Sequence, residues 1–184
     1  LFKKNKSKLT AIFDYNSDQI FIKHANLRNQ FLDGKFNGEI KLSPYFNFDL
    51  YIDLNSVNFN QLNNLLVKLY KENEKNLFKL NNKINGQLNL STNKIYSKYD
   101  LINSFESQVK FINGNILIER LLLNMGKLGA ADITGQINNE KKFSNFKFEN
   151  NIFIDNTKYF HNKFGIYEKP SIHPNLFVSG NFDL

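Results

Sequence analysis

The chain has 184 residues, which is enough for one domain with a core of its own, and a formal charge of +7. It contains no cysteine, which excludes disulfide bonds, thiol catalysis and zinc sites with cysteine ligands. No apolar run approaches the roughly 20 residues that cross a bilayer as a helix, and no signal peptide is recognisable.

A short apolar alternation that runs into a glycine recurs along the chain. The clearest copies cover residues 31–42, 84–90, 109–118, 131–137 and 176–184. Side chains of a strand alternate between two faces, so this pattern indicates a sheet with one apolar face. The Asn-Gly and Asp-Gly pairs are interpreted as tight hairpin turns, because these residues tolerate positive φ.

The first third of the chain is predicted to form strands. A hairpin is expected over residues 8–27 and a further strand pair over 30–42, after which Pro44 should interrupt the ladder. The sharpest alternation follows, and its apolar members share one face: Phe46, Phe48, Leu50, Ile52 and Leu54. Asp49 and Asp53 lie on the other face, where we expect them to be solvated rather than to act as a catalytic pair.

Beyond this strand the apolar period becomes helical. The spacing predicts a helix over 60–70, with Asn58 as its N-cap and four leucines facing the sheet: Leu62, Leu65, Leu66 and Leu69. A second, shorter helix is predicted around 100–107. Strands resume from 108 to 154, and residues 158–175 are predicted to be irregular before a last strand from Leu176. The fold class is therefore α+β and predominantly antiparallel β: a long curled meander sheet with an apolar concave face and one or two short helices.

The net positive charge of the chain permits two interpretations. It could indicate nucleic acid or an anionic membrane as partner. The lysines are scattered, however, and Asn, Lys, Ile and Phe are the residues that an AT-rich genome over-supplies. We favour compositional drift, because a nucleic-acid site needs charge gathered on one face.

No pattern typical of catalysis is found. His24, His161 and His173 have no recognised ligand spacing, so we expect polar surface or turn histidines rather than a zinc site. Nucleophile elbows, phosphate loops and dinucleotide motifs are missing from the sequence. The prediction is a protein that is not an enzyme, with no cofactor and no metal.

The order of these features resembles the C-terminal region of AsmA-like proteins, the superfamily that includes TamB. The resemblance covers residues 25–137 well: a glycine-containing strand pair, Leu42-Ser43-Pro44, the alternating strand to Leu54, a short helix, and the glycine-containing strands at 84–90, 111–121 and 128–137. It implies a curled β-groove with an apolar inner face. It also implies a role in outer-membrane biogenesis of Gram-negative bacteria, with phospholipid transfer along the groove.

On this resemblance, residues 1–184 are expected to be a single AsmA-like segment of a longer protein. The segment would be periplasmic and anchored to the inner membrane by a part of the protein outside this chain. Its expected partners are phospholipid acyl chains, envelope membranes and other envelope proteins, and not nucleic acid.

The apolar side chains of the strands are the candidate groove. They fall on three stretches and are Phe46, Phe48, Leu50, Ile52, Leu54, Phe111, Ile116, Ile118, Phe146, Phe148, Ile152 and Ile154. Two alternatives stay open. The same side chains could fill the closed core of a structural or adhesive β-repeat surface protein, or the chain could be a basic nucleic-acid-binding domain whose aromatic residues stack on bases.

Overall fold

The computed structural model describes residues 2–4, 7–73, 80–139, 144–165 and 175–183. The described strands are β1 (Phe2–Lys4), β2 (Ser7–Tyr15), β3 (Gln19–Arg28), β4 (Leu32–Lys41), β5 (Asn47–Asn58), β6 (Asn85–Thr92), β7 (Ile95–Tyr96), β8 (Ser104–Ile112), β9 (Asn115–Asn124), β10 (Gly129–Asn139), β11 (Ser144–Ile154) and β12 (Asn175–Asp183). The two α-helices are α1 (Phe59–Asn73) and α2 (Thr157–Phe164), and Gly126–Leu128 forms a 3₁₀ turn.

All of these strands belong to one open sheet. Its order is β1-β2-β3-β4-β5-β6-β8-β9-β10-β11-β12, and β7 pairs with β5 outside this path. Strand β5 runs parallel to β6 and β7, and the other described pairs are antiparallel. Parallel neighbours need a crossover, and α1 lies in the connection from β5 to β6. A predominantly antiparallel sheet with two short helices is therefore confirmed.

The register aligns one side of strands β2 to β12 in four rows, which we call the apolar face because most of their side chains are apolar. The first row is Leu9, Leu27, Gly34, Leu54, Thr92, Phe105, Leu123, Ala131, Ile152 and Leu176. The second row is Ala11, Ala25, Phe36, Ile52, Leu90, Ser107, Leu121, Ile133, Asn150 and Val178. The third row is Phe13, Ile22, Gly38, Leu50, Leu88, Val109, Ile118, Gly135, Phe148 and Gly180. The fourth row is Tyr15, Ile20, Ile40, Phe48, Gly86, Phe111, Ile116, Ile137, Phe146 and Phe182.

Three β-bulges keep these rows continuous although the sequence alternation is broken. The ladder shifts register between Ile22 and Ala25 in β3, and again in β5 and β9. An extra residue at a bulge lets two apolar side chains three positions apart lie on the same face. Ile118 and Leu121 of β9 therefore share the apolar face, although strict alternation separates them.

Both helices lie at the same end of the strands. Leu54 near the end of β5 and Ile152 near the end of β11 share the first row of the apolar face, and α1 and α2 follow these two strands directly. The backbone N–H of Gln61 donates to Asn58 Oδ1 at 3.1 Å, which confirms Asn58 as the N-cap of α1.

A small buried core joins α2 to this end of the sheet. Phe160 of α2 packs with Leu128 and Ile154, and partly buried Leu101 and Met125 contact the same cluster. The structure thus places a helix within the segment that the sequence predicted to be irregular. Residues 166–174, with His173, lie outside the described part of the chain.

Two predictions about helices were wrong. The segment predicted as a helix around 100–107 instead begins β8 at Ser104. Leu66 was expected to face the sheet but is 43% exposed, whereas Leu62 and Leu65 are half-buried. Helix α1 contacts β5 and β7 at the end of the sheet, so only part of its apolar surface is covered. The side chain of Leu69 is outside the described set.

Candidate functional site

The predicted stripe on β5 lies on the apolar face. Phe48, Leu50, Ile52 and Leu54 occupy one position in each of the four rows, and Leu54 is buried. Phe46 directly precedes the strand and is exposed, with its ring centroid 6.2 Å from that of Phe48. The alternation of the sequence was therefore sufficient to identify this part of the surface.

The predicted residues of β8 and β9 continue the same surface. Phe111 follows Phe48 and Gly86 in the fourth row, and its ring centroid is 5.4 Å from that of Phe48. Ile116 pairs with Phe111, and Ile118 lies in the adjacent row. The structure brings these groups together across an intervening strand, which the sequence could only suggest.

A second aromatic cluster forms where β11 meets β12. Phe146 and Phe148 stack with ring centroids 5.5 Å apart, and Phe182 lies 5.3 Å and 5.6 Å from them. Ile152 lies in the first row, next to the core at α2. Ile154 is buried in that core, so it is far less accessible than the phenylalanines.

Glycines within the strands make room for these rings. Gly86 has φ +152°, and an ideal Cβ at this position would come within 2.6 Å of Phe48 Cδ1. A Cβ on Gly180 would come equally close to Phe148 Cε1. The rings therefore lie down against the sheet and cover the neighbouring backbone, an arrangement that only glycine permits.

The prediction that the glycines lie in hairpin turns was wrong for most of them. Asn113 and Gly114 do form the two-residue turn of a hairpin, with φ of +52° and +83°. Five other glycines instead lie inside strands on the apolar face: Gly34, Gly38, Gly86, Gly135 and Gly180. Asn-Gly and Asp-Gly pairs suit both settings, so the dipeptides alone could not separate them.

Most side chains of the apolar face are only partly buried. In the third row Leu50, Leu88, Val109 and Ile118 from the middle of the sheet are all half-buried, and Phe13 near its edge is exposed. A second layer packed on a sheet buries the central side chains of the facing surface. The partial burial seen here is what lateral neighbours in the same sheet provide.

The opposite face, which we call the polar face, is mostly polar, although Ile12, Phe21 and Phe177 are exposed on it. It carries a cavity of about 490 Å³. Six neighbouring strands, from β3 to β9 in the sheet order, contribute polar side chains to it: His24, Lys35, Asn37, Tyr51, Asp53, Asn89, Ser91, Glu106, Gln108 and Arg120. The cavity therefore spans the middle of the sheet, and four residues of the second row also border it: Phe36, Ile52, Leu90 and Ser107. The predicted concavity of the apolar face receives no support from this arrangement.

The cavity is lined by charged side chains of both signs. Lys35, Arg120 and Glu106 line it, and Asp53 accepts a hydrogen bond from Ser91 Oγ at 3.1 Å. Asp53 is exposed on the polar face, as predicted. Asp49 shares this face but is half-buried, and its Oδ1 has no hydrogen-bond partner among the described residues.

The two described histidines lie in different parts of the molecule, His24 at the cavity and His161 on α2. His24 Nε2 is 2.9 Å from Asn26 Nδ2, and His161 belongs to α2 at the end of the sheet. Within the described ranges, no three His, Asp or Glu side chains are grouped so that they could hold a metal ion. In the same part of the chain, no helix is long and apolar enough to span a membrane.

Sequence reasoning missed most of the apolar face, because only ten of its forty positions were among the predicted residues. Ile22, Phe36, Leu88, Leu121 and Ile133 occupy its central rows beside the predicted residues. An apolar step of three residues, as in 22–25 and 118–121, is the signal of a bulge that could have located some of them. Comparisons of the chain with family models, with curated proteins and with solved structures found no match.

Proposed function

We propose that the apolar face binds the acyl chains of phospholipids and that the protein works without catalysing a reaction. The observation that carries this proposal is the half-buried third row, which runs from β2 to β12 without a charged side chain. Monomers rarely leave so large an apolar surface in water unless it binds something. Each methylene group moved from water onto such a surface contributes about 0.8 kcal/mol.

The dimensions of the sheet suit an extended apolar ligand. Ten strands carry the rows, and neighbouring strands lie about 4.8 Å apart, so a row is roughly 40 Å long. A ligand lying along a row would contact one residue from each strand that it crosses. The proposal needs an extended apolar strip and does not depend on a closed groove.

The resemblance to AsmA-like proteins supports the wider part of the proposal. On this basis the chain is part of a periplasmic protein, anchored to the inner membrane by a segment outside the chain. It would carry phospholipid between the inner and outer membranes or assist outer-membrane assembly in a Gram-negative envelope. Envelope membranes and other envelope proteins are the partners that this role requires.

The burial pattern argues against the structural or adhesive alternative. A filled core would bury the third row, yet its central side chains retain partial exposure. The nucleic-acid alternative needs cations among exposed aromatic side chains. None of the forty positions in the four rows is charged, so the apolar face does not offer that combination.

Site-specific photocrosslinking tests the proposal. Crosslinkers at Phe48 and Phe148 on the apolar face should capture phospholipid when the protein is expressed in a Gram-negative host. Crosslinkers at Asp49 and Tyr51, on the polar face of the same strand, should not. Tyr51 is the better control because it is 50% exposed, so low labelling there cannot result from burial.

The same experiment can contradict the proposal. Equal lipid labelling on both faces, or none at any of the four positions, would remove its support. Crosslinks from Phe48 and Phe148 to protein alone would favour a covered face, as in the structural alternative.

A further inference from the structure

The end of the sheet that carries both helices forms one continuous surface, which we call the helix end. It comprises the described side chains of α1, residues 93–103, the turn at 125–128 and residues 155–165. The N–H of Lys98 donates to Asn60 Oδ1 of α1 at 3.2 Å, and the N–H of Ile95 donates to the Asn103 carbonyl at 2.8 Å. The N–H of Asn103 donates to the carbonyl of Asn124 at 2.7 Å, beside the core that holds α2.

Large apolar side chains remain in water across this surface. Their exposure ranges from 43% to 68%, and they include Phe59, Leu66, Val67, Tyr96, Tyr99 and Phe164. The first three lie at i, i+7 and i+8 of α1, which places them on one side of the helix. Half-buried Leu62 and Leu65 lie on another side, so α1 presents apolar residues outward as well as inward.

Positive charge accompanies these side chains. The Lys94 ammonium lies 4.9 Å from the centroid of the Tyr96 ring, and the Lys98 ammonium lies 5.7 Å from that of Tyr99. The charged side chains described at the helix end are Lys68, Lys94, Lys98, Lys127, Lys158, Lys163, Asp100 and Asp155. Six lysines against two aspartates leave four positive charges in excess.

The opposite end of the sheet provides the contrast. Its described loops, at 16–18, 42–46, 80–84 and 113–114, hold only Asp18 and Lys83 as charged residues, so their charges cancel. Apolar side chains are exposed there too, and Tyr45 reaches 81%. The excess of positive charge, and not exposure alone, distinguishes the helix end.

We propose that the helix end docks on the surface of an anionic lipid bilayer. Tyrosine rings settle at the level of the headgroups, and an apolar helix side enters the boundary between headgroups and acyl chains. Lysines beside them are attracted to anionic lipids. A protein surface that binds single-stranded nucleic acid also combines cations with aromatic rings. Leu66 and Val67, however, are aliphatic and offer bases no stacking surface.

This docking surface uses residues outside the apolar face and goes beyond the proposed binding of acyl chains. Through this surface the protein would bind a membrane whether or not the apolar face binds acyl chains.

Tryptophan fluorescence gives a direct test, because the chain has no tryptophan of its own. In the full chain, Tyr99→Trp reports on the helix end, and Tyr45→Trp is the matched control at the opposite end. Phosphatidylglycerol vesicles should move the emission of Y99W to shorter wavelength and leave Y45W unchanged. Phosphatidylcholine vesicles should affect neither variant.

Charge variants give the size of the effect. Lys94→Gln and Lys98→Gln should each weaken binding to phosphatidylglycerol vesicles about fivefold, the contribution expected of a lysine near an anionic surface. Lys83→Gln at the opposite end should change it less than about twofold. Circular dichroism of each variant distinguishes lost docking from lost folding.

Several outcomes would overturn the proposal: equal shifts for Y99W and Y45W, equal binding to anionic and neutral vesicles, no binding to either, or a response of Y99W to a single-stranded oligonucleotide alone. Leu50→Asp on the apolar face separates this proposal from the previous one. It should abolish acyl-chain capture and leave vesicle docking intact, and loss of docking in this folded variant would contradict an independent helix end.

Discussion

The two faces of the sheet are made by the same strands but meet water differently. On the polar face, side chains pair with one another: Ser91 donates to Asp53, and Lys110 lies 2.6 Å from Glu119. On the apolar face, the rows from β2 to β12 hold no charged group, and most of their residues are only half-buried. A polar face can be satisfied by water and by its own neighbours, whereas an apolar face gains free energy when something covers it.

The glycines extend this contrast to the backbone. On the apolar face they let Phe48 and Phe148 lie against the strands, so part of each ring is already removed from water. The rings still leave an apolar outer surface. The ring packing therefore lowers the free-energy cost of exposing the apolar face to water, but part of that cost remains.

The largest expected difference between the faces is in the free energy of unfolding, and it concerns Leu54 in the first row. Leu54→Ala should reduce the free energy of unfolding by about 2–5 kcal/mol, because Leu54 is only 4% exposed and its loss leaves a cavity. Asp53→Ala on the polar face should cost less than about 1 kcal/mol, since it loses one exposed hydrogen bond. Urea denaturation of both variants measures the difference, and similar losses would show that the two faces contribute alike.

A smaller effect should come from filling a glycine site. Gly180→Ala should destabilise the protein by about 1–3 kcal/mol, because its new Cβ would collide with the Phe148 ring. Ser179→Ala, on the polar face of the same strand, serves as the control and should be close to neutral.

A double-mutant cycle isolates the cause of that loss. Combined with Phe148→Ala, the Gly180→Ala change should cost markedly less than it does alone, because the colliding ring is gone. Additive losses would mean that ring packing is not the reason for glycine at this position.

The smallest effect is expected for an ion pair next to the polar face. Glu119→Gln should change the free energy of unfolding by no more than about 1 kcal/mol, because Lys110 and Glu119 are both partly exposed and screened by water. High salt should reduce the difference further. A loss of several kcal/mol that persists in high salt would show that this pair stabilises the sheet far more than an exposed pair does.

Local sequence patterns determined much of the fold. Alternation with a period of two gave the strands and the apolar stripe of β5, since each strand side chain projects to a face set by its position alone. The helical period and Asn58 likewise gave the start of α1, because capping is a local hydrogen bond. These features depend on neighbours within a few residues.

Tertiary structure decided the rest. Gly86 lies in a strand rather than a turn because Phe48 of the adjacent strand covers it, a contact between residues far apart in sequence. Leu66 is exposed because α1 meets only the strand ends, and the cavity exists because six strands bring its lining residues together. The sequence by itself determined which side chains share a face, while what approaches each face depends on long-range packing that no local period records.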